Sequence, residues 1–170
     1  YQGGKTNHGQ LINPPAAFSG FHASQKAGEP VTTSFVQANW WLLYVIPADC
    51  TSACRNRLFQ MRQVRKALGK ESERVRTLLV TTSALSSDVV TLLQNEFPDF
   101  VQVQADAANV NTAMSQVIPN AADAGNLFIM DTMGWIMLMY APEPDEASSV
   151  VKAEDILNDL KKLLKASRIG

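Results

Sequence analysis

The sequence predicts one α/β domain, a central mixed sheet with flanking helices. Three observations predict it. Two mainly apolar runs, Trp40–Ile46 and Val75–Thr81, have the continuous character of strands covered on both faces. Between them Leu58, Met61, Val64 and Leu68 recur at helical spacing, and Gly69 stops the run, so a helix crosses from one strand to a parallel neighbour. Later, the runs from Asn126 to Met130 and from Trp135 to Tyr140 flank Asp131-Thr132-Met133-Gly134, which reads as a hairpin adding antiparallel strands.

Each element follows in order. Residues 1–30 are rich in Gly, Pro, Ser and Asn and read as an extended N-terminal arm with at most short strands, leaving residues 31–170 as the folded domain. After the first strong strand, Pro47-Ala48-Asp49 breaks the run and a helix is expected from Cys50 to Leu68. The second strand leads into a helix over Ser86–Glu96, with Val89, Leu92 and Leu93 inward, which Phe97-Pro98 ends. Phe100–Gln104 reads as a short edge strand, and Asp106–Val117 as a further helix. Pro142-Glu143-Pro144 separates the hairpin from a final amphipathic helix, Val151–Ala166, with Ile156, Leu157, Leu160, Leu163 and Leu164 on its apolar side. The order β-α-β-α-β-α-β-β-α is the thioredoxin-like plan.

Composition narrows the function. The chain has 170 residues, 46% of them hydrophobic and 18% charged, which suffices for a core without staples. A formal net charge of -1 lacks the basic excess of a nucleic-acid binder. No apolar run approaches the roughly 20 residues needed to span a bilayer. The start at Tyr1 reads as the interior of a longer protein, with a signal peptide or membrane anchor expected upstream.

Two cysteines are too few for a disulfide scaffold, and their closeness marks a local site. Cys50-Thr51-Ser52-Ala53-Cys54 falls at the junction of strand and helix. Positions four apart share a helix face, and exposed N–H groups at a helix start favour the reactive thiolate. A pair of thiolates also suits a soft ion such as Cu(I). The competing reading is two ordinary half-buried cysteines in a helix. Four helical residues rise about 6 Å, near the upper limit for a bridged pair, so a disulfide here is expected only with Cys50 at the cap, and then strained, oxidising and readily reduced.

Read with its flanking strand and helix, this CxxxC segment resembles the SCO/SenC family. The hairpin Leu127-Phe128-Ile129-Met130-Asp131-Thr132-Met133-Gly134-Trp135 is similar to that family's Asp-Pro-x-Gly turn, with Thr132 in place of proline. The resemblance spans residues 36–166. The opening Thr6–Ile12 and the ending Leu164–Gly170 are more specifically similar to a bacterial, membrane-anchored SCO-like branch. The resemblance implies a thioredoxin-like fold and a role in cytochrome c oxidase assembly on the periplasmic side of the inner membrane. It also implies a membrane tether upstream, and a cytochrome c oxidase subunit or copper chaperone as partner. SCO proteins add a copper-binding histidine just before the strand that enters the turn, and thioredoxins a cis-proline nearby. Here that stretch is Ala121-Ala122-Asp123-Ala124-Gly125-Asn126, with neither.

The expected site is therefore Cys50 and Cys54, as redox thiols or as ligands of Cu(I), with His8 or Met133 as candidate third ligands. His8 competes with a merely solvated reading, and His22 is a weaker candidate still. Met137 and Met139 alternate onto one face and read as core. Arg55, Arg57, Arg62, Arg65 and Lys66 read as a solvated helix face, with docking of an acidic partner as the minority reading. Trp40 and Trp41 read as core, one of them able to reach the surface beside the thiols; Asp49 reads equally as a charge opposing thiolate formation at Cys50 and as a helix cap. Three functions follow: an assembly factor handling Cu(I) or a partner's thiols, a thiol–disulfide oxidoreductase, and an assembly module acting by contact alone.

Overall fold

The computed structural model describes residues 7–169; the first six residues of the expected arm, and Gly170, lie outside it. Trp40–Ile46 forms β3, and every one of its residues is buried, because it sits inside the sheet with both faces covered. Helix α2, Ser52–Ala67, crosses over to β4, Val75–Thr81, which pairs with β3 in parallel from Trp40↔Val75 to Ile46↔Thr81. On the other side of β3 lies β6, Leu127–Met130, antiparallel to it and joined by a hairpin to β7, Trp135–Tyr140. The central placement of the two apolar strands is as the sequence predicts.

The margins differ from expectation. Gln10–Ala17 forms β1 and pairs antiparallel with β7, while Ser24–Gln25 forms β2 and pairs with β5, Val101–Gln104. The sheet order is β1-β7-β6-β3-β4-β5-β2, so β5 is not the edge. Two features join residues 10–25 to the domain. Phe18 and Phe21 fill the same core as Val110 and Met114, and the Phe18 N–H is donated to Gly134 O at 2.9 Å. Short runs among prolines hide this from periodicity.

Helices cover both faces. The face bearing Leu42, Tyr44 and Ile46 packs α2, α3 (Ser87–Glu96) and α5 (Glu146–Ile169). The face bearing Trp41, Leu43 and Val45 packs the phenylalanine turn, α1 (Thr33–Val36) and α4 (Ala107–Ala113). Helix α4 stops at Ala113 rather than Val117, and the chain beyond it tightens into turns in which Ser115 N–H is donated to Thr112 O and Val117 N–H to Met114 O. Helix α5 begins at Glu146, five residues before the expected start at Val151, because Asp145 Oδ1 accepts the Ser148 N–H at 2.8 Å and caps it.

Met137 and Met139 do not share a face. The ladder steps from Ile129↔Leu138 to Met130↔Ile136, leaving Met137 as a bulge, so Met137 packs with Leu138 while Met139 packs with Ile136 on the other side.

The start of β1 is fastened to α5. Fully buried Asp159 accepts the His8 and Gly9 N–H groups, the latter at 2.8 Å, and the Tyr140 hydroxyl. A Cβ at Gly9 would lie 2.6 Å from the Tyr140 ring, so only glycine allows this approach. Asp159→Ala removes the acceptor of three donors and should cost about 3 kcal/mol in urea unfolding. A loss within error of zero would show that the fastening contributes nothing.

Candidate functional site

The thiol pair sits where the crossover leaves the sheet. Thr51 is the N-cap residue of α2, with extended backbone (φ -80°, ψ -171°), so Cys50 precedes the helix and Cys54 lies in its first turn. This bend brings the two Cα atoms to 5.1 Å and the sulfurs are joined as a disulfide. That separation is ordinary for a bridge, so the strain expected from four residues of continuous helix is not required. The two ends are unequal: Cys54 is buried at 2% exposure, whereas Cys50 is half-buried. Thr51 makes no side-chain cap bond, leaving the first-turn amides of α2 directed toward the bridge end of the helix. Asp49 is exposed and not the cap; its carbonyl accepts the Thr51 N–H at 3.1 Å.

Three loops meet at this end of the sheet. The Ala48 N–H is donated to Asp123 Oδ1 at 2.9 Å, which puts the stretch before β6 beside the loop carrying Cys50. Arg57 binds the third loop. It is not on a solvated face as its neighbours suggested, but 4% exposed, and it donates to Gly125 O, Tyr140 O, Ala141 O and Gln60 Oε1 at 2.7–3.2 Å. Sequence reading missed Arg57; its place one turn after Cys54, on the apolar side with Leu58 and Met61, is the signal that marks it. Arg62 and Arg65 are also engaged. Arg62 lies over Phe59 and Phe97 and pairs with Glu96, and Arg65 donates to Val75 O.

The candidate third ligands are elsewhere. Met133, 60% exposed, is in the β6–β7 turn beyond Met130, which pairs with Trp41 near the start of β3; Cys50 follows the end of that strand. The two are separated by about the length of β3, roughly 20 Å. The His8 ring lies 3.5 Å from Asp155 on α5. His22 ends the phenylalanine turn and lines a polar cleft of about 530 Å³ with Ser24, Thr81, Gln104 and Asp106, none of them a thiol neighbour in the chain. Trp40 and Trp41 are both buried at the end of β3 away from the thiols.

A three-ligand copper centre does not fit these residues. Among the described residues no group of three or more His, Cys, Asp or Glu side chains is arranged to hold a metal ion. The stretch before β6 holds no imidazole; its ionisable side chain is Asp123, a hard carboxylate already bonded to Ala48. The peptide before β6 is also not cis; the cis bond precedes Pro14, in β1.

The fold and the CxxxC junction define a thioredoxin-like domain. More particularly, the chain belongs to the family of transmembrane-like, thioredoxin-like C-terminal domains, whose model matches residues 40–167. No curated protein matches it. Among solved structures, copper-bound ScoI from Arabidopsis thaliana superposes with a TM-score of 0.59 at 11% identity, covering 84% of this chain and 96% of that one. BsSco, a Sco-family cytochrome c oxidase assembly protein with a disulfide switch, gives 0.60 at 14% identity, covering 87% and 93%. The thioredoxin domain of a thiol-disulfide oxidoreductase from Bacteroides vulgatus gives 0.56 at 16%, covering 87% and 97%. At such identities the likeness is one of fold.

The electrostatics beneath the bridge are testable. Burial pushes the Tyr44 phenol up to about 12 from 10.0, with the charge of Arg57 opposing. Burial pushes Arg57 down to about 10, opposed by Tyr44 and Glu143. Between pH 10 and 12 the unfolded chain has lost the tyrosine proton that the fold keeps, so stability present below pH 10 is lost as pH rises through about 12. Arg57 acts with the opposite sign above about pH 10, its proton being held more tightly by the unfolded chain. Tyr44→Phe should therefore make the stability curve fall less steeply than wild type between pH 10 and 12, measured by urea unfolding. Equal slopes would show that Tyr44 does not contribute there.

Proposed function

We propose that this chain is an accessory factor of cytochrome c oxidase biogenesis, exchanging its Cys50–Cys54 disulfide with a cysteine pair of a partner. We place it on the periplasmic side of the bacterial inner membrane, tethered by a segment upstream. The observation that carries the chemistry is the unequal burial of the bridge, with Cys50 accessible and Cys54 enclosed. The assembly role is supported by the sequence resemblance and by the fold shared with Sco proteins. The compartment and the tether are supported by the sequence resemblance to a bacterial, membrane-anchored branch. No helix among the described residues is long and apolar enough to cross a membrane.

The exchange runs as two displacements. A partner thiolate attacks Cys50 Sγ in line with the S–S bond, which breaks, and Cys54 departs as a thiolate and takes up a proton. The partner's second thiol, once deprotonated, attacks the partner sulfur of the mixed disulfide and releases Cys50. Two electrons pass to this chain, two protons from the partner's thiols are balanced by those gained at Cys50 and Cys54, and the partner leaves oxidised. The reverse sequence reduces a partner. The start of α2 favours whichever sulfur carries negative charge.

Run in reverse, Cys50 attacks an oxidised partner and Cys54 resolves the mixed disulfide, so Cys54→Ser cannot resolve that intermediate and should trap a partner in a reductant-sensitive complex that fractionates with membranes. A cytochrome c oxidase subunit or a copper chaperone should be identified in it by mass spectrometry. Cys50→Ser should trap nothing; equal trapping by both variants would refute the assigned order of attack.

A second reading is favoured by the 5.1 Å approach of the cysteines. Reduced, they form a bis-thiolate suited to Cu(I) as cargo, with any third ligand supplied by the partner. Competition with a chromogenic chelator should show one Cu(I) per reduced chain, lost in either cysteine variant and unchanged in His8→Ala and Met133→Ala. A drop in affinity for the Met133 variant would contradict the placement of that residue at the far end of the sheet.

A further inference from the structure

The loops that frame Cys50 are residues 47–51, 121–126 and 141–146. They are one surface, joined by the Ala48–Asp123 bond and by Arg57, which holds Gly125 and Ala141 together. They contain Asp49, Asp123, Glu143, Asp145 and Glu146 and no lysine, arginine or histidine. All of these acids are exposed except Glu143, which is half-buried and close enough to act on Arg57. Asp145 is partly occupied in capping α5. The nearby cations are Arg57, buried under the rim, and Arg55, exposed on α2.

The opposite end of the sheet has the reverse character. Between residues 65 and 76 stand Arg65, Lys66, Lys70, Arg74 and Arg76 against Glu71 and Glu73. This segment leads into the start of β4, level with Trp40, whereas Cys50 follows the end of β3. Glu96 and Asp99 also stand beside that segment, and Lys26 lines a cleft with Thr81, level with Ile46, so the contrast is between the three acidic loops at the thiols and the basic segment 65–76. Such a field steers the encounter of a charged partner and selects its orientation.

Resting on the exchange reading, we infer that the disulfide-bearing end of this domain docks a basic segment, a cysteine pair flanked by lysine or arginine. Asp123, bonded to the Ala48 N–H, and Glu143, beside Arg57, are the carboxylates of this surface with which cations flanking the attacking thiolate would pair. An acidic segment would be repelled by the same groups.

The test uses the oxidised protein and two synthetic dithiol peptides of equal length, one with lysine flanks and one with glutamate flanks, beside dithiothreitol. At about 20 mM ionic strength the basic peptide should be oxidised on the order of tenfold faster than the acidic one, and the ratio should collapse toward one at about 500 mM. It should also collapse in the triple variant Asp49→Asn, Asp123→Asn, Glu143→Gln. Equal rates for the two peptides at low salt overturn the inference while leaving exchange intact, as does a ratio that survives in the triple variant. Failure of dithiothreitol and both peptides to open the bridge overturns the exchange reading beneath it.

Discussion

The guanidinium of Arg57 is the joint on which the thiol-bearing end depends. Burying a cation costs several kcal/mol in lost hydration, and no carboxylate is bonded to it in return. What offsets that cost is a set of four acceptors, three of them main-chain carbonyls at the start of β6 and the end of β7. Those carbonyls lie at the two ends of one hairpin, beside the Leu127–Tyr140 pair, and 68–84 positions beyond Arg57 on α2. A single side chain thus fixes the helix that carries Cys54 to the loops that border Cys50. Gln60 continues the tie, accepting from Arg57 and donating to Ser149 O, which carries it into α5.

This arrangement explains which parts of the molecule were legible in sequence. Trp40–Ile46 and Val75–Thr81 announce themselves because burial on both faces leaves no polar positions to interrupt them, and their bounds agree with the strands observed. The cysteine junction is legible for a related reason, since a strand end, a proline and a helical period converge within a few residues. Arg57 and Asp159 show only a place on the apolar side of a helix. A charged residue on a helix reads as solvated until its partners are known, and the main-chain partners lie 68–84 positions away for Arg57 and about 150 for Asp159. The bulge at Met137 defeats alternation similarly: one unpaired residue reverses the facing of everything beyond it.

The topology also decides what the cysteines can recruit. Antiparallel pairing of β6 with β3 sends the Asp131–Gly134 turn to the end of the sheet where β3 begins, while the crossover into α2 starts where β3 ends. Met133 therefore shares a hairpin with the stretch facing the thiols and is still remote from them. What does reach the thiols is the segment before β6, and there the chain carries Asp123. A carboxylate is a hard oxygen donor and adds negative charge. It is a poor third ligand for Cu(I), and it leaves the exchange proposed for the two sulfurs unhindered.

The same negative charge has a second consequence. Acids around a thiol oppose its ionisation, whereas the start of a helix favours it, so the two influences on Cys50 are set against each other. A rim that made the reduced pair too willing to ionise would bind soft metals indiscriminately and release the bridge to any small thiolate. With Asp49, Asp123 and Glu143 in place, an anionic attacker such as a free thiolate meets repulsion at the entry, and a thiolate carried among cations does not. On the proposed exchange reading, selectivity for a protein partner over small thiols would arise from the approach rather than from the sulfur chemistry. Burial of Cys54 adds to it, because the only sulfur open to attack is the one the acidic rim surrounds.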